Sequence, residues 1–253
     1  MLRWCSYCQQ FLGEIPDYRK LTITHGICTG CEPRALYFTG PDFELAEMLR
    51  GIQHQLQEAG RRNDLAAAEH IIETACGANI RAVDVLIGII APMLSEFGED
   101  WSCNVLSVAE EHQFTSYCNS VFHVVASKVT TGSPGSGDKE PDVLVMNAPG
   151  NNHTLAIRII CLWLRNKGVG VQMIDVPPPL EELTALIVAS GIRTVLISMA
   201  LVEHRRSVES IAGRIAALPA SIRPRIIVGG YAVKAGLVSA IAGAELMADI
   251  SLL

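Results

Sequence analysis

Three features of the sequence predict a multidomain chain of α and α/β class. Two Cys-x-x-Cys pairs stand near the N-terminus. A middle stretch carries apolar residues at three-to-four spacing, and the remainder alternates short apolar runs with amphipathic stretches. The implied order is a four-cysteine zinc-ribbon-like segment over 1–40, a four-helix bundle cap over 41–130, a linker over 131–141, and a doubly wound parallel-sheet domain of Rossmann or flavodoxin-like type over 142–253.

Bulk properties narrow the function classes. With 253 residues, 49% hydrophobic and 18% charged, the chain has material for a sizeable core. Its formal net charge of -6 argues against a nucleic-acid surface, so direct nucleic-acid binding is not expected. No apolar run reaches the roughly eighteen residues of a membrane span. The opening MLRWCSYC has no apolar core of a signal peptide. A cytoplasmic location without membrane association is the expectation.

The eight cysteines fall into two groups. Cys76, Cys103, Cys118 and Cys161 are scattered, mostly through apolar stretches, and read as small core residues. Cys5, Cys8, Cys28 and Cys31 form WCSYCQQ and GICTGCE, 19 residues apart. That spacing suits four thiolates around tetrahedral zinc, with iron in a rubredoxin-like site or a pair of disulfides as alternatives. THGICTGC also resembles the HGICPxC run of short segments in bacterial signalling proteins. His25 reads as a turn residue rather than a further ligand.

Beyond Pro41, helices are expected over Asp42–Gly60, Leu65–Cys76, Ala82–Phe97 and Val108–Lys128, separated by GRRND, CGAN and GEDWSCN. In the fourth, Glu111, Phe114, Cys118, Val121 and Val125 share one face. Glu111 therefore stands on or at the end of a buried stripe, where a carboxylate needs a partner from the protein or from a ligand. TGSPGSGDKEP then reads as the linker.

The last part predicts strands at DVLVMNA, VGVQMID, TVLISMA and RIIVGG. Helices are expected over His153–Lys167, Leu180–Ser190, Arg206–Leu218 and Val233–Ala242, with a short last strand near Leu246. Uninterrupted apolar strands, each followed by a helix, indicate a parallel sheet covered on both faces. Ligands of such sheets bind past the carboxyl ends of the strands. The first strand runs into NAPGNNHTLAIRI, which has neither the glycines of a dinucleotide fingerprint nor a Walker lysine. It places Asn151 and His153 at the ligand edge, together with Ser198 after the third strand and Gly229–Gly230 after the fourth. The Gly pair suggests a close approach to the backbone. His153 otherwise reads as a histidine capping the helix that follows.

This arrangement resembles the cobalamin-binding domain family typified by methionine synthase, with its DxHxxG, SxL and GG motifs. They appear here as Asn151-x-His153-x-x-Ala156, Ser198-x-Ala200 and Gly229–Gly230. The resemblance implies that His153 ligates cobalt from below and displaces the cofactor's own base into a slot beside the sheet. Ser198 and the glycines would line that slot. Asn151 stands where the family has the Asp that orients and charges the His, leaving orientation of Nδ1 without the charge. Ala156 replaces a Gly, and Ala200 shortens the apolar residue of SxL.

The bundle carries a second resemblance. FGEDWSCNVLSVAEEH is similar to the cap of CarH-type cobalamin photoreceptors, in which a Trp is followed ten and eleven residues later by Glu-His. Trp101, Glu111 and His112 keep that spacing, and Val108 also matches. By resemblance, Trp101 and Val108 pack over the upper face of cobalt, and Glu111 bonds the ribose of a 5′-deoxyadenosyl ligand with His112 beside it. Ser102 stands where the CarH pattern has the His that takes cobalt's upper position after illumination. The expected function is a light or cofactor sensor, not an enzyme, holding adenosylcobalamin base-off. Cleavage of the cobalt–carbon bond would alter self-association or the binding of a regulatory partner. The alternative is a corrinoid methyl-carrier subunit of a methyltransferase system. A bilin beside the corrin, held by some similar photoreceptors, has no motif here.

Overall fold

The first thirty residues build a small sheet, because Cys5 to Gln10 closes a tight turn with Gln9 N–H donating to Cys5 O (3.0 Å) and Cys5 N–H to Gln10 O (2.8 Å). Strands β1 (Leu2–Cys5), β2 (Phe11–Glu14) and β3 (Ile23–Gly26) lie in the order β2-β1-β3. β2 is antiparallel to β1 and β3 is parallel to it. His25 lies within β3, paired with Trp4, instead of in a turn. The computed structural model describes residues 1–6, 8–32, 42–102, 107–129 and 140–253. It divides into two compact units, Met1–Gly132 and Ser133–Leu253.

The bundle belongs to the first unit: α1 (Asp42–Arg61), α2 (Leu65–Gly77), α3 (Ala82–Val85), α4 (Ala91–Ser102) and α5 (Val108–Val129). Asp64 caps α2 by accepting from Ala67 N–H at 2.9 Å. Ser107 and Glu110 form a reciprocal capping box at the start of α5: Ser107 N–H donates to the carboxylate at 2.8 Å and Glu110 N–H to the Ser107 hydroxyl at 3.3 Å. As its sequence spacing implies, α5 buries Phe114, Cys118, Val121 and Val125, and Phe114 stacks on Phe97 with centroids 3.4 Å apart.

One expectation fails here. The periodicity predicts an unbroken α-helix over Ala82–Phe97, whereas Leu86–Ile90 form a π turn between α3 and α4, and the helix runs on to Ser102. All five π-turn residues are buried. The turn lies against the N-terminal sheet, where Trp4 and Phe11 crowd the backbone at Gly88.

The second unit is a Rossmann-like parallel sheet. Its elements are β4 (Val143–Asn147), α6 (Thr154–Asn166), β5 (Val171–Ile174), α7 (Leu180–Ala189), β6 (Thr194–Ser198), α8 (Arg205–Ala216), β7 (Arg225–Gly229), α9 (Tyr231–Lys234) and β8 (Glu245–Leu246). The strand order is β5-β4-β6-β7-β8, every pair parallel. One face of β4, β6 and β7 packs Leu144, Met146, Val195, Ile197, Ile226 and Val228 against α7 and α8. The helix expected over Val233–Ala242 is instead the single turn α9. The chain folds back at Gly236 (φ 71°), and Leu237 N–H bonds Ala232 O at 3.0 Å. Ile241 then bridges Ala244.

Among the described residues no helix is long and apolar enough to cross a membrane.

Candidate functional site

In a sheet of this order the direction of winding reverses between β4 and β6, and the crevice at their carboxyl ends is where ligands bind. The loop leaving β4 is shaped by two successive turns. Ala148 O accepts from Asn151 N–H (2.9 Å) across Pro149 and Gly150, the latter at φ 88°, as a type II turn with Pro then Gly requires. Asn151 Oδ1 next accepts from His153 N–H at 3.1 Å, an Asx turn that starts α6.

His153 thus arrives at the N-cap of α6, exposed, and its side chain makes no capping bond. Capping does not account for it. The buried Asn151 carboxamide is committed to the scaffold: Nδ2 donates to Ser198 O (3.0 Å) and to Asn147 Oδ1 (3.3 Å), while Oδ1 holds the His153 backbone. The resemblance implied that Asn151 orients the His153 ring. The hydrogen bond found goes to the His153 main chain. Ala148 N–H also donates to Ser198 O at 2.9 Å, so two bonds from this loop converge on the end of β6. Ser198 itself is buried, and Ala156 and Ala200 are half-buried.

The glycines have a backbone reason. A Cβ on Gly230 (φ 97°) would stand 2.6 Å from Met199 O, and one on Gly229 would stand 3.0 Å from Met247 O. The close approach that the Gly pair suggested is made by the chain's own neighbouring segments.

Two residues at this edge had no motif to announce them. Asn147, the last residue of β4 and the register partner of Ser198, is fully buried. Its Nδ2 has no hydrogen-bond partner among the described residues. His204 lies where a Cβ on Gly150 would meet its Cδ2 at 3.7 Å. Its Nδ1 accepts from Leu201 N–H at 3.3 Å, which places the neutral ring's proton on Nε2. A polar residue closing an otherwise apolar strand was the available signal for Asn147; His204 had none. Val176, Leu201 and Val202, in the loops after β5 and β6, expose apolar side chains. An exposed imidazole, an orphaned buried donor and exposed apolar side chains in the loops at the carboxyl ends of the strands suit a large ligand with both polar and apolar parts.

Of the residues expected on the helical side, Val108 is 55% exposed and His112 is exposed. The side chains of Trp101 and Glu111 lie outside the described residues, although both positions fall in helices, α4 and α5.

The first unit holds a second cluster. The sulfurs of Cys5, Cys8, Cys28 and Cys31 all lie within 4.8 Å of one another, with Cys8 and Cys28 at 3.7 Å. A tetrahedron of Zn–S bonds of about 2.3 Å has edges of about 3.8 Å. Cys28 N–H points to Cys5 Sγ at 3.5 Å, a donor that favours a thiolate. Desolvation within the cluster, aided by the neighbouring Cys5, Cys28 and Cys31 sulfurs, pushes the Cys8 thiol up to about 12 although the residue itself is exposed. The set can hold a metal ion.

Comparison with known proteins places both units. The B12 binding domain family matches residues 52–125 with one of its domain types and residues 141–239 with another. An uncharacterized 20.5 kDa protein in the bchF-crtJ intergenic region of Rhodobacter capsulatus is 25% identical over 153 residues, covering 60% of this chain and 78% of that protein. The monomethylamine corrinoid protein of Methanosarcina barkeri shares the fold, with a TM-score of 0.64 at 12% identity over 80% of this chain and 95% of its own. A cobalamin-binding protein from Desulfitobacterium hafniense gives a TM-score of 0.40 at 12% identity, over 79% of this chain and 93% of its own.

Proposed function

Since the chain belongs to the B12-binding domain family, its two matched regions together spanning more than half of the 253 residues, we propose that it is a cobalamin-dependent regulatory sensor with His153 as the lower ligand of cobalt. The observation that carries this reading is the exposed, uncapped His153 side chain, delivered by two turns to the switch point of the sheet. The buried, partnerless Nδ2 of Asn147 supports it by leaving a donor for a polar group of the ligand or for a water beneath it.

The chain's own residues divide the work. Asn151 fixes the backbone from which His153 projects, through its bonds to Ser198 O and His153 N–H. Ser198, Ala200 and Ala156 line the lower site, and Gly229 and Gly230 set the backbone at its edge by admitting the neighbouring Met199 and Met247 carbonyls. By resemblance, positions 101, 108, 111 and 112 of the first unit are assigned to the upper face of the cofactor. When bound, adenosylcobalamin would supply a light-sensitive cobalt–carbon bond. The protein's task is to exclude solvent from the upper ligand and to express its loss as altered self-association or partner binding. Cys5, Cys8, Cys28 and Cys31 hold zinc.

The test is the absorption spectrum and the hydrodynamic size of the adenosylcobalamin-loaded protein, kept anaerobic, before and after green light. A spectral change accompanied by a change in size or partner affinity is expected. A spectral change alone overturns the sensor reading. The same spectra report any second pigment such as a bilin.

A corrinoid methyl carrier is the second reading. The exposure of Val108 and His112 favours it, because a carrier's upper face must open to a partner enzyme. Methyl-cobalamin forming on the protein only with a methyltransferase present would select it.

A further inference from the structure

The N-terminal sheet is seated on the π turn of the bundle, and the seat is aromatic. Trp4 and Phe11 are both buried and meet edge to face with centroids 5.4 Å apart. Gly88 lies at the middle of the π turn Leu86–Ile90. A Cβ there would stand 2.8 Å from Phe11 Cδ2 and would clash with the Trp4 indole as well. The two rings therefore rest on helix backbone. One turn earlier Asp84, fully buried, accepts from Phe11 N–H at 3.3 Å and from Arg81 Nε and Nη2, both at 2.8 Å. Gln53 of α1 donates to Leu21 O at 3.2 Å and holds the segment leading into β3.

The same two aromatics flank the first cysteine pair. Trp4 directly precedes Cys5, and Phe11 follows Cys8 by three residues. β1 is paired to β3, which leads into Cys28 and Cys31. A sheet of three four-residue strands has too little core to stand alone, and segments of this size are ordinarily held by metal or disulfides. Four thiolates around one cation would fix both cysteine turns, and with them the position of Trp4 and Phe11 over Gly88.

We propose that this four-cysteine metal site is a latch on the helical bundle. A zinc-class cation holds the Trp4–Phe11 pair on the π turn, and the pair holds the packing of the helix that continues as α4. The proposal rests on the metal reading of the cluster given above. A π turn contains one residue more than an α turn, so its relaxation to α geometry rotates the segment beyond it by roughly 100°. α4, Ala91–Ser102, is that segment, and it carries Trp101. Metal occupancy would thus decide the rotational setting of α4.

The experiment is hydrogen exchange on the full chain, as purified with its metal measured, after removal of the metal by a chelator, and as two variants. Trp4→Ala removes the indole without touching a sulfur, and Cys8→Ser removes a ligand. One zinc-class ion per chain is expected. Chelation, Cys8→Ser and Trp4→Ala should each speed exchange across 86–102 by about tenfold or more, with α2 and α6 unchanged. Trp4→Ala should do so while retaining its metal. A metal-bound protein whose exchange over 86–102 ignores chelation overturns the latch and leaves the metal reading intact. Absence of any bound metal overturns the metal reading, and the latch with it. Loss of protection spread equally over α1, α2 and α5 overturns the latch in favour of a merely structural metal.

Discussion

Asn151 Nδ2 lies 3.0 Å from the carbonyl oxygen of Ser198, a side chain of the β4–α6 loop bonded to the last residue of β6, 47 positions away in sequence. This bond bridges the switch point of the sheet and fixes the turn from which His153 departs. The nitrogen of the carboxamide is the required atom, because its partner is an acceptor.

Replacing Asn151 by Asp should therefore be harmful, although Asp is the residue the resemblance expects. A carboxylate oxygen would face the Ser198 carbonyl, acceptor against acceptor, and only the protonated acid could donate. The variant's acid is then stabilised in its protonated form, so stability should be greatest at low pH and fall as pH rises. A loss of about 1–3 kcal/mol at neutral pH, regained in part near pH ~5, is expected in urea denaturation. Equal stability of Asn and Asp proteins at neutral pH would refute the geometry.

His153→Ala should leave the fold alone, because the imidazole is exposed and caps nothing. Stability in denaturant should stay within about 0.5 kcal/mol of the parent protein. The corrin should instead bind at least about tenfold more weakly, about 1.4 kcal/mol, and lose its imidazole-ligated spectrum. An unchanged spectrum would assign the lower ligand elsewhere, with His204 the residue to replace next.

Gly230→Ala tests whether the glycine pair serves packing. The added methyl would press on Met199 O at 2.6 Å with a backbone held at φ 97°. A loss of about 1–3 kcal/mol is expected in the apoprotein, before any cofactor is added. Normal apoprotein stability with impaired corrin binding would restore the ligand-cradle explanation.

Asp84 makes the first unit unusual in its response to acid. Burial pushes its carboxyl up, against the opposing pull of Arg81 and of Phe11 N–H. The folded state therefore binds this proton more tightly than the unfolded chain does. Its contribution is fullest below the ordinary carboxylate value and is lost as pH rises through the raised one. Chemical denaturation monitored on the first unit across that window should show this slope, and Asp84→Asn should flatten it. Asp84→Ala should cost about 1–3 kcal/mol at any pH by stranding the Phe11 N–H and Arg81.

The second unit was legible in the sequence because its strands are uninterrupted apolar runs, each followed by an amphipathic stretch. Periodicity located α6, α7 and α8 to within about two residues at each end. It failed beyond Gly230, where Ala, Val, Leu and Ile continue a helical rhythm although the chain folds back at Gly236. In the bundle it located the helices but could not show the π turn, since one inserted residue leaves Leu86, Ile87, Ile89 and Ile90 as apolar as before. Trp4, Phe11 and Asp84 carried no readable signal. Phe11 and Asp84 are 73 positions apart, and only the fold brings them together. The site edge was legible through His153 and Ser198, which matched known motifs. Asn147 offered only its polarity at the end of an apolar strand, and His204 offered nothing, because its neighbours Gly150 and Leu201 are brought to it by loops.

Gly88 beneath Trp4 and Phe11 also bears on how this protein can be divided. The leading segment is not a detachable module appended to a finished bundle, because its two rings complete the bundle's interior. A gene fragment opening at residue 42 would encode helices with an uncovered seam along Leu86–Ile90, prone to self-association. Exchanging this segment between homologues would require exchanging the turn beneath it as well.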